Sequence, residues 1–167
     1  MTLVADTSAL VSLAATSDSR RIAFPLLLEG YDVAVPQQTI EELENVARYE
    51  DDHGKAAQAV LSEQDRIVVH EIELDTEFPL DDGENAAVQL TKEISADFFY
   101  CDEYNQLALI HASLFEPQLV TTPRVLKALV VHGGLTQSDA KTLLDEISKV
   151  RSWGNNSYVQ QAEQLFD

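Results

Sequence analysis

Short apolar runs alternate with stretches of helical periodicity along most of this chain. Leu3 to Asp6, Tyr31 to Val35, Ile67 to Glu73, Asp97 to Cys101 and Leu119 to Thr121 have the length and composition of strands. Between them the spacing predicts helices near Ala9 to Ala15, Arg20 to Leu28, Thr39 to Arg48, Lys55 to Leu61, Asn85 to Ile94, Tyr104 to Leu114 and Pro123 to His132. Gly30 and the Gly133-Gly134 pair read as helix stops, Asp82 as a helix N-cap and Pro123 as a first-turn proline. Thr136 and Asp139 form a capping arrangement for a helix running towards Val150, and Tyr158 to Phe166 supplies a last helix. Alternation of this kind predicts an α/β fold of three layers, α/β/α, around a mostly parallel sheet of about five strands. With no repeat, low-complexity tract or Pro- or Ser-rich linker, residues 1–167 read as one domain. Its core spans roughly residues 1–132, followed by a helical C-terminal extension over 133–167.

Composition changes this picture only through charge. Hydrophobic residues make up 45% and charged residues 24%, as in ordinary soluble domains, but 11 Lys and Arg stand against 29 Asp and Glu, a net charge of -18. Such a field opposes phosphate in dilute buffer. At molar salt the Debye length falls to about 3 Å and the repulsion is mostly screened. The acidity is spread along the chain and leaves hydrophobic periodicity intact, so it reads as a halophilic surface and says little about substrate. A single cysteine, Cys101, excludes an intrachain disulfide framework and argues for a reducing compartment. The N-terminal Met1-Thr2-Leu3-Val4-Ala5-Asp6 has no basic leader, and no apolar stretch approaches the roughly 18 residues of a membrane span. A cytoplasmic protein is expected, with no membrane partner.

Four acids are the candidate chemistry: Asp6 ending the first apolar run, Glu42 in a Pro-led helix, Glu84 opening a helix and Asp102 ending another apolar run. Each is expected at or just beyond a strand end, and in an open α/β sheet those ends converge on one crevice where ligands bind. Carboxylates sharing a crevice repel one another unless cations hold them, so convergence predicts divalent metal. Each acid also has a plain structural reading. Asp6 with Thr7 and Ser8 is a good helix N-cap, Glu84 suits a first helical turn, and Asp102 suits a cap. Glu42 lies beside Glu41 and Glu44 in a helix whose apolar face is Ile40, Leu43 and Ala47, and spacing does not choose it over Glu41.

Other chemistries find less support. His53, His70, His111 and His132 are scattered without zinc spacing, and Cys101 reads as a small buried strand residue. There is neither a phosphate-binding Gly-x-x-x-x-Gly-Lys-Ser/Thr loop nor a dinucleotide fingerprint. Trp153 and Tyr158 read as packing for the C-terminal helices, although exposed aromatics there would suit a partner.

Taken in order, these motifs resemble the PIN domain, a nuclease fold shared by the toxins of VapBC toxin-antitoxin systems and many archaeal proteins. The resemblance begins at Val4-Ala5-Asp6-Thr7-Ser8 and continues through Val35-Pro36-Gln37-Gln38-Thr39-Ile40-Glu41-Glu42-Leu43, whose Glu-Leu pair selects Glu42. Leu80 to Ala87 is similar to the Gly-Glu helix start carrying the third acid, and Asp97 to Asp102 to the strand delivering the fourth. Val120 to Leu126 and Gly134 to Leu144 resemble the tail of a VapC-related subgroup, so nearly the whole chain is covered.

The resemblance implies metal-dependent hydrolysis of RNA phosphodiester bonds, with Mg²⁺ or Mn²⁺ as cofactor. Asp6 and Asp102 would take the principal metal, Glu84 a shared or water-orienting position and Glu42 a second, weaker metal. Thr7, Ser8 and Thr121 would orient water or phosphate, and Glu103 stands where many members carry a further Asp. The resemblance also implies a homodimer and an antitoxin protein that fills the groove, and together with the acidic surface it points to a halophilic archaeal source. No dense basic patch is evident; Arg20, Arg21, Arg48 and Arg124 are the cations expected nearest the mouth. Two rivals remain. One is a PIN-like module that no longer cuts and serves as a nucleic-acid- or protein-binding regulator. The other is a phosphoacceptor or haloacid-dehalogenase-like domain, weakened because Asp6-Thr7-Ser8 lacks a second Asp and Lys127 lies inside a predicted helix.

Overall fold

A computed structural model describes residues 1–16, 22–77, 79–105, 107–114 and 118–167. Five strands, β1 (Thr2–Ala5), β2 (Asp32–Pro36), β3 (Val68–His70), β4 (Phe98–Tyr100) and β5 (Gln118–Val120), form one parallel sheet in the order β3-β2-β1-β4-β5. Each parallel step requires a crossover, and helices supply it. They are α1 (Thr7–Ala14), α2 (Ala23–Gly30), α3 (Gln37–Val46), α4 (Asp52–Ser62), α5 (Asp82–Glu93), α6 (Leu107–Ser113) and α7 (Thr122–Val131). Two more, α8 (Gln137–Val150) and α9 (Ser157–Glu163), complete the C-terminal region.

The pleat sorts apolar side chains between two cores. Leu3, Ala5, Val33, Val35 and Tyr100 join residues of α1, α2, α4, α7 and α8 in the larger one. The intervening Val4, Ala34 and Phe99 join Ala87, Val88 and Leu90 of α5 and Ile110 of α6 in the smaller. Both sheet faces are thus covered, giving three layers. The chain winds outward from the central β1 in both directions, to β2 and to β4, so the switch point of the sheet lies between β1 and β4.

Several expected boundaries move. Among the described residues only Val68–His70 of the expected Ile67 to Glu73 pairs as strand. The helix expected from Tyr104 starts at Leu107, and the start expected at Arg20 falls outside the described residues. Asp81, not Asp82, caps α5, its Oδ1 accepting from the Glu84 N–H at 2.9 Å. Gly133 does end α7, with φ +82°, a conformation glycine adopts without a Cβ penalty. Thr136 caps α8 as expected, its hydroxyl accepting from the Asp139 N–H and donating to the Asp139 carboxylate at 2.7 Å. Among the described residues no helix is long and apolar enough to cross a membrane.

Candidate active site

Asp6 follows β1 directly, and its N–H donates to Tyr100 O at 3.0 Å, extending the β1–β4 ladder by one residue. That bond holds Asp6 beside the end of β4, opposite Cys101 and Asp102. Its carboxylate is buried and serves as the N-cap of α1: Oδ1 accepts from the Ala9 N–H at 2.9 Å and from the Ser8 hydroxyl at 2.8 Å. Oδ2 accepts from the Cys101 thiol at 3.0 Å. Cys101 is fully buried, and burial beside Asp6 pushes its thiol pKa up, so it sits as a neutral donor.

Asp102 is held from the other side of the switch point. Its Oδ1 accepts from the Thr122 N–H at 2.8 Å and the Tyr104 hydroxyl at 3.2 Å, and its Oδ2 accepts from the Thr122 hydroxyl. Asp102 therefore caps α7 from a neighbouring strand, where Thr121 makes no side-chain cap. The Thr122 hydroxyl also meets Tyr100 Oη, so a buried chain runs from Tyr100 through Thr122 to Asp102.

The remaining acids come from helices rather than strand ends, contrary to the simple expectation. Glu42 lies well inside α3, half-buried, with Oε2 accepting from the Thr7 hydroxyl at 2.7 Å; its neighbour Glu41 is exposed. Glu84 rides on the first turn of α5, beyond an acidic segment that Asn85 pins through Asp75: Asn85 Nδ2 donates to Asp75 O at 2.6 Å. Glu42 also leans over the start of α5, since a Cβ placed on Gly83 would overlap its carboxylate. The glycine before Glu84 is thus the opening that lets the second acid approach the third, and the N-terminal pole of α5 favours the charge it admits.

The electrostatics tie the acids together. Burial raises the Asp6 carboxyl pKa to about 7 against the hydrogen bonds from Cys101, Ala9 and Ser8, with Asp102 adding to the rise. Burial raises Glu84 to about 8, helped by Asp81, Glu103, Asp6 and Glu42. Glu42 is raised by burial and by Asp81, Glu103 and Asp82, against its bond from Thr7. Asp102 rises to about 6, burial outweighing the Thr122 bonds, Arg151 and Tyr104. Glu103 thus contributes its charge to this mouth.

Among the described residues no three His, Cys, Asp or Glu side chains are drawn together as ligands of a bound ion would be. The reason is visible in the bonding: Asp6, Asp102 and one oxygen of Glu42 are turned to protein donors. An all-oxygen, mutually repelling donor set nonetheless suits a hard divalent cation, which would relieve the repulsion that raises these pKa values.

Four contributors were not legible as site residues: Cys101, Tyr104, Thr122 and Arg151. Arg151 is a cation whose charge acts on Asp102 and Tyr104. Of the cations expected nearest the mouth, Arg48 and Arg124 are exposed, and Arg20 and Arg21 lie outside the described residues. Thr122 supplies the hydroxyl on Asp102.

Gly83→Ala separates site from fold. Gly83 is buried in the first turn of α5, and the atoms a Cβ there would strike are the carboxylate end of the Glu42 side chain, which must move off to make room. The variant is expected to melt near the wild-type temperature while binding Mn²⁺ more weakly, read by melting curves and calorimetric titration.

A family model described as PIN domain matches residues 2–167 of this chain. No curated protein matches it.

Proposed function

Because the chain belongs to the PIN domain family, whose members are generally nucleases, we propose that it is a metal-dependent endoribonuclease working at the mouth between β1 and β4. The observation that carries this reading is the convergence of Asp6, Glu42, Glu84 and Asp102 from four separate elements, each with a raised pKa and several acting on one another. Asp6 and Asp102 would hold the principal ion, Glu84 would share it or orient water, and Glu42 would serve a weaker second site. Bound Mg²⁺ or Mn²⁺ supplies Lewis acidity towards the phosphate and lowers the pKa of water. The chain's own part is positioning. Thr7 fixes Glu42, Ser8 fixes Asp6, and Thr122 with Tyr104 fixes Asp102. Thr121 beside Thr122 is a further hydroxyl for water or phosphate.

The same reading extends to a VapC-like toxin, a homodimer silenced by an antitoxin protein, acting in the cytoplasm of a halophilic archaeon. Screening of the net charge of -18 by salt is part of it, so RNA cleavage belongs near molar KCl. The expected result is endonucleolytic cutting of single-stranded or looped RNA with Mn²⁺ or Mg²⁺, stopped by EDTA. Metal-replete protein that binds RNA without cutting would favour the second reading, a regulatory module. That reading draws on the engagement of the acid oxygens by protein donors.

A further inference from the structure

Asp102 is linked outward, through Tyr104, to an aromatic group built by the C-terminal extension. The Tyr104 hydroxyl that donates to Asp102 belongs to a ring packed edge-on against Trp153, centroids 5.2 Å apart at 84°. The other neighbour of that ring is Tyr158, at 5.7 Å and tilted by 39°. Trp153 is buried and wedges Tyr104 in place, whereas Tyr158 is 56% exposed. Tyr158 is also firmly mounted: it stands in the first turn of α9, where Asn156 Oδ1 accepts from the N–H groups of both Tyr158 and Val159. Contact with Tyr104 occupies part of the Tyr158 ring and leaves more than half of the residue open to solvent, one side chain removed from a candidate metal ligand.

Arg151 reinforces the point. It caps the C-terminus of α8, is partly exposed, and its charge acts on both Asp102 and Tyr104. A guanidinium so placed suits a phosphate oxygen. The mouth is otherwise acidic, so Coulombic attraction alone would hold a polyanion poorly, and less still at high salt. Stacking of a base on an aromatic face is sequence-tolerant and does not depend on net charge. A duplex keeps its base faces stacked on one another, and only an unpaired base offers its own.

We propose that Tyr158 is a stacking platform for one unpaired base of the nucleic-acid strand, with Arg151 on an adjoining phosphate, and that this pair selects single-stranded substrate. The proposal rests on the nuclease reading for its location beside Asp102, but its test is a binding measurement. Fluorescence anisotropy of labelled oligoribonucleotides, in EDTA and molar KCl, is read for the wild type, Tyr158→Ala and Tyr158→Trp. The probes are an intact single strand, its duplex, and a series with one abasic position each. The intact strand is expected to bind Tyr158→Ala about five- to a hundred-fold more weakly than wild type, with Tyr158→Trp restoring it. One abasic position should weaken wild type by a similar factor and leave Tyr158→Ala unaffected, and the duplex should bind poorly throughout. With Mn²⁺ present, Tyr158→Ala should raise KM for RNA and leave kcat nearly unchanged. Equal affinity of Tyr158→Ala and wild type, indifference of wild type to every abasic position, or no wild-type binding of the intact strand would each overturn the proposal. So would a fall in kcat alone, which would mean that Tyr158 acts only by packing Tyr104. An abasic effect without metal-dependent cleavage sinks the nuclease reading and keeps the platform; normal cleavage with an unchanged KM in Tyr158→Ala does the reverse.

Discussion

Asp6→Asn is expected to lower metal-dependent RNA cleavage by about a hundredfold or more while leaving the fold intact. The size follows from position. Loss of a group that merely orients a metal ligand costs about 10–100-fold, and Asp6 is proposed as a ligand itself. The intact fold follows from the hydrogen bonds. Asn keeps an Oδ1 to accept from the Ala9 N–H and the Ser8 hydroxyl, and Asn is as good an N-cap as Asp. Its amide group can face the Cys101 sulfur where Oδ2 now accepts from the thiol. Removing the charge also removes the repulsion that Asp6 exerts on Glu84. The metal-free variant should therefore melt no lower than wild type. Asp102→Asn is expected to behave alike, its oxygen retaining the Thr122 N–H and the Tyr104 hydroxyl. Initial rates on a labelled RNA in Mn²⁺, together with melting curves in EDTA, check both halves. A variant that cuts normally removes its residue from the site.

The second large effect is a reversed pH dependence. Asp6, Glu84 and Asp102 have folded-state pKa values raised to about 7, about 8 and about 6, from 3.8 for Asp and 4.5 for Glu. Between those limits the native metal-free protein holds protons that the unfolded chain has already released. Stability must then fall as pH rises, since its slope follows the difference in bound protons between the unfolded and native states. The contribution is fully present below about pH 4 and lost on passing about pH 8, and growing net negative charge acts in the same direction. EDTA-treated protein should therefore melt higher at pH 5.5 than at pH 8. Metal ligands must be deprotonated, so Mn²⁺ affinity should rise across the same window. Asp6→Asn should flatten both slopes. Melting temperatures of the EDTA-treated protein that climb from pH 5.5 to pH 8 would contradict the coupling of these acids.

The sheet and its helices were legible because period-2 and period-3.6 patterns are local. Helix starts were not: expected starts at Ala9, Thr39, Lys55 and Asn85 each lie two or three residues late. The true first turns, Thr7-Ser8, Gln37-Gln38, Asp52-His53 and Asp82-Gly83, are polar or capped and carry no apolar rhythm. The acids could be named because each sits in a short local motif, and Gly83 beside Glu84 was visible as part of one. What could not be read was the company they keep. Thr122 reaches Asp102 across 20 residues and Thr7 reaches Glu42 across 35, contacts set by how strands and helices dock rather than by spacing. Arg151 and Trp153 come from the C-terminal extension, which the apolar pattern marked only as further helix. Their proximity to Asp102 and Tyr104 exists only once α8 and α9 have packed.

Melting temperature with and without Mn²⁺, at pH 8 in molar KCl, tests the proposed metal site most directly. An ion that binds only the folded form stabilises it by RT ln(1 + [L]/Kd), about 2.7 kcal/mol at a hundred times Kd. For a chain of 167 residues that corresponds to roughly 5–10 °C. A rise of this size is expected for wild type and little or none for Asp6→Asn and Asp102→Asn. A wild type that does not shift, or variants that keep the full shift, would contradict the proposed site.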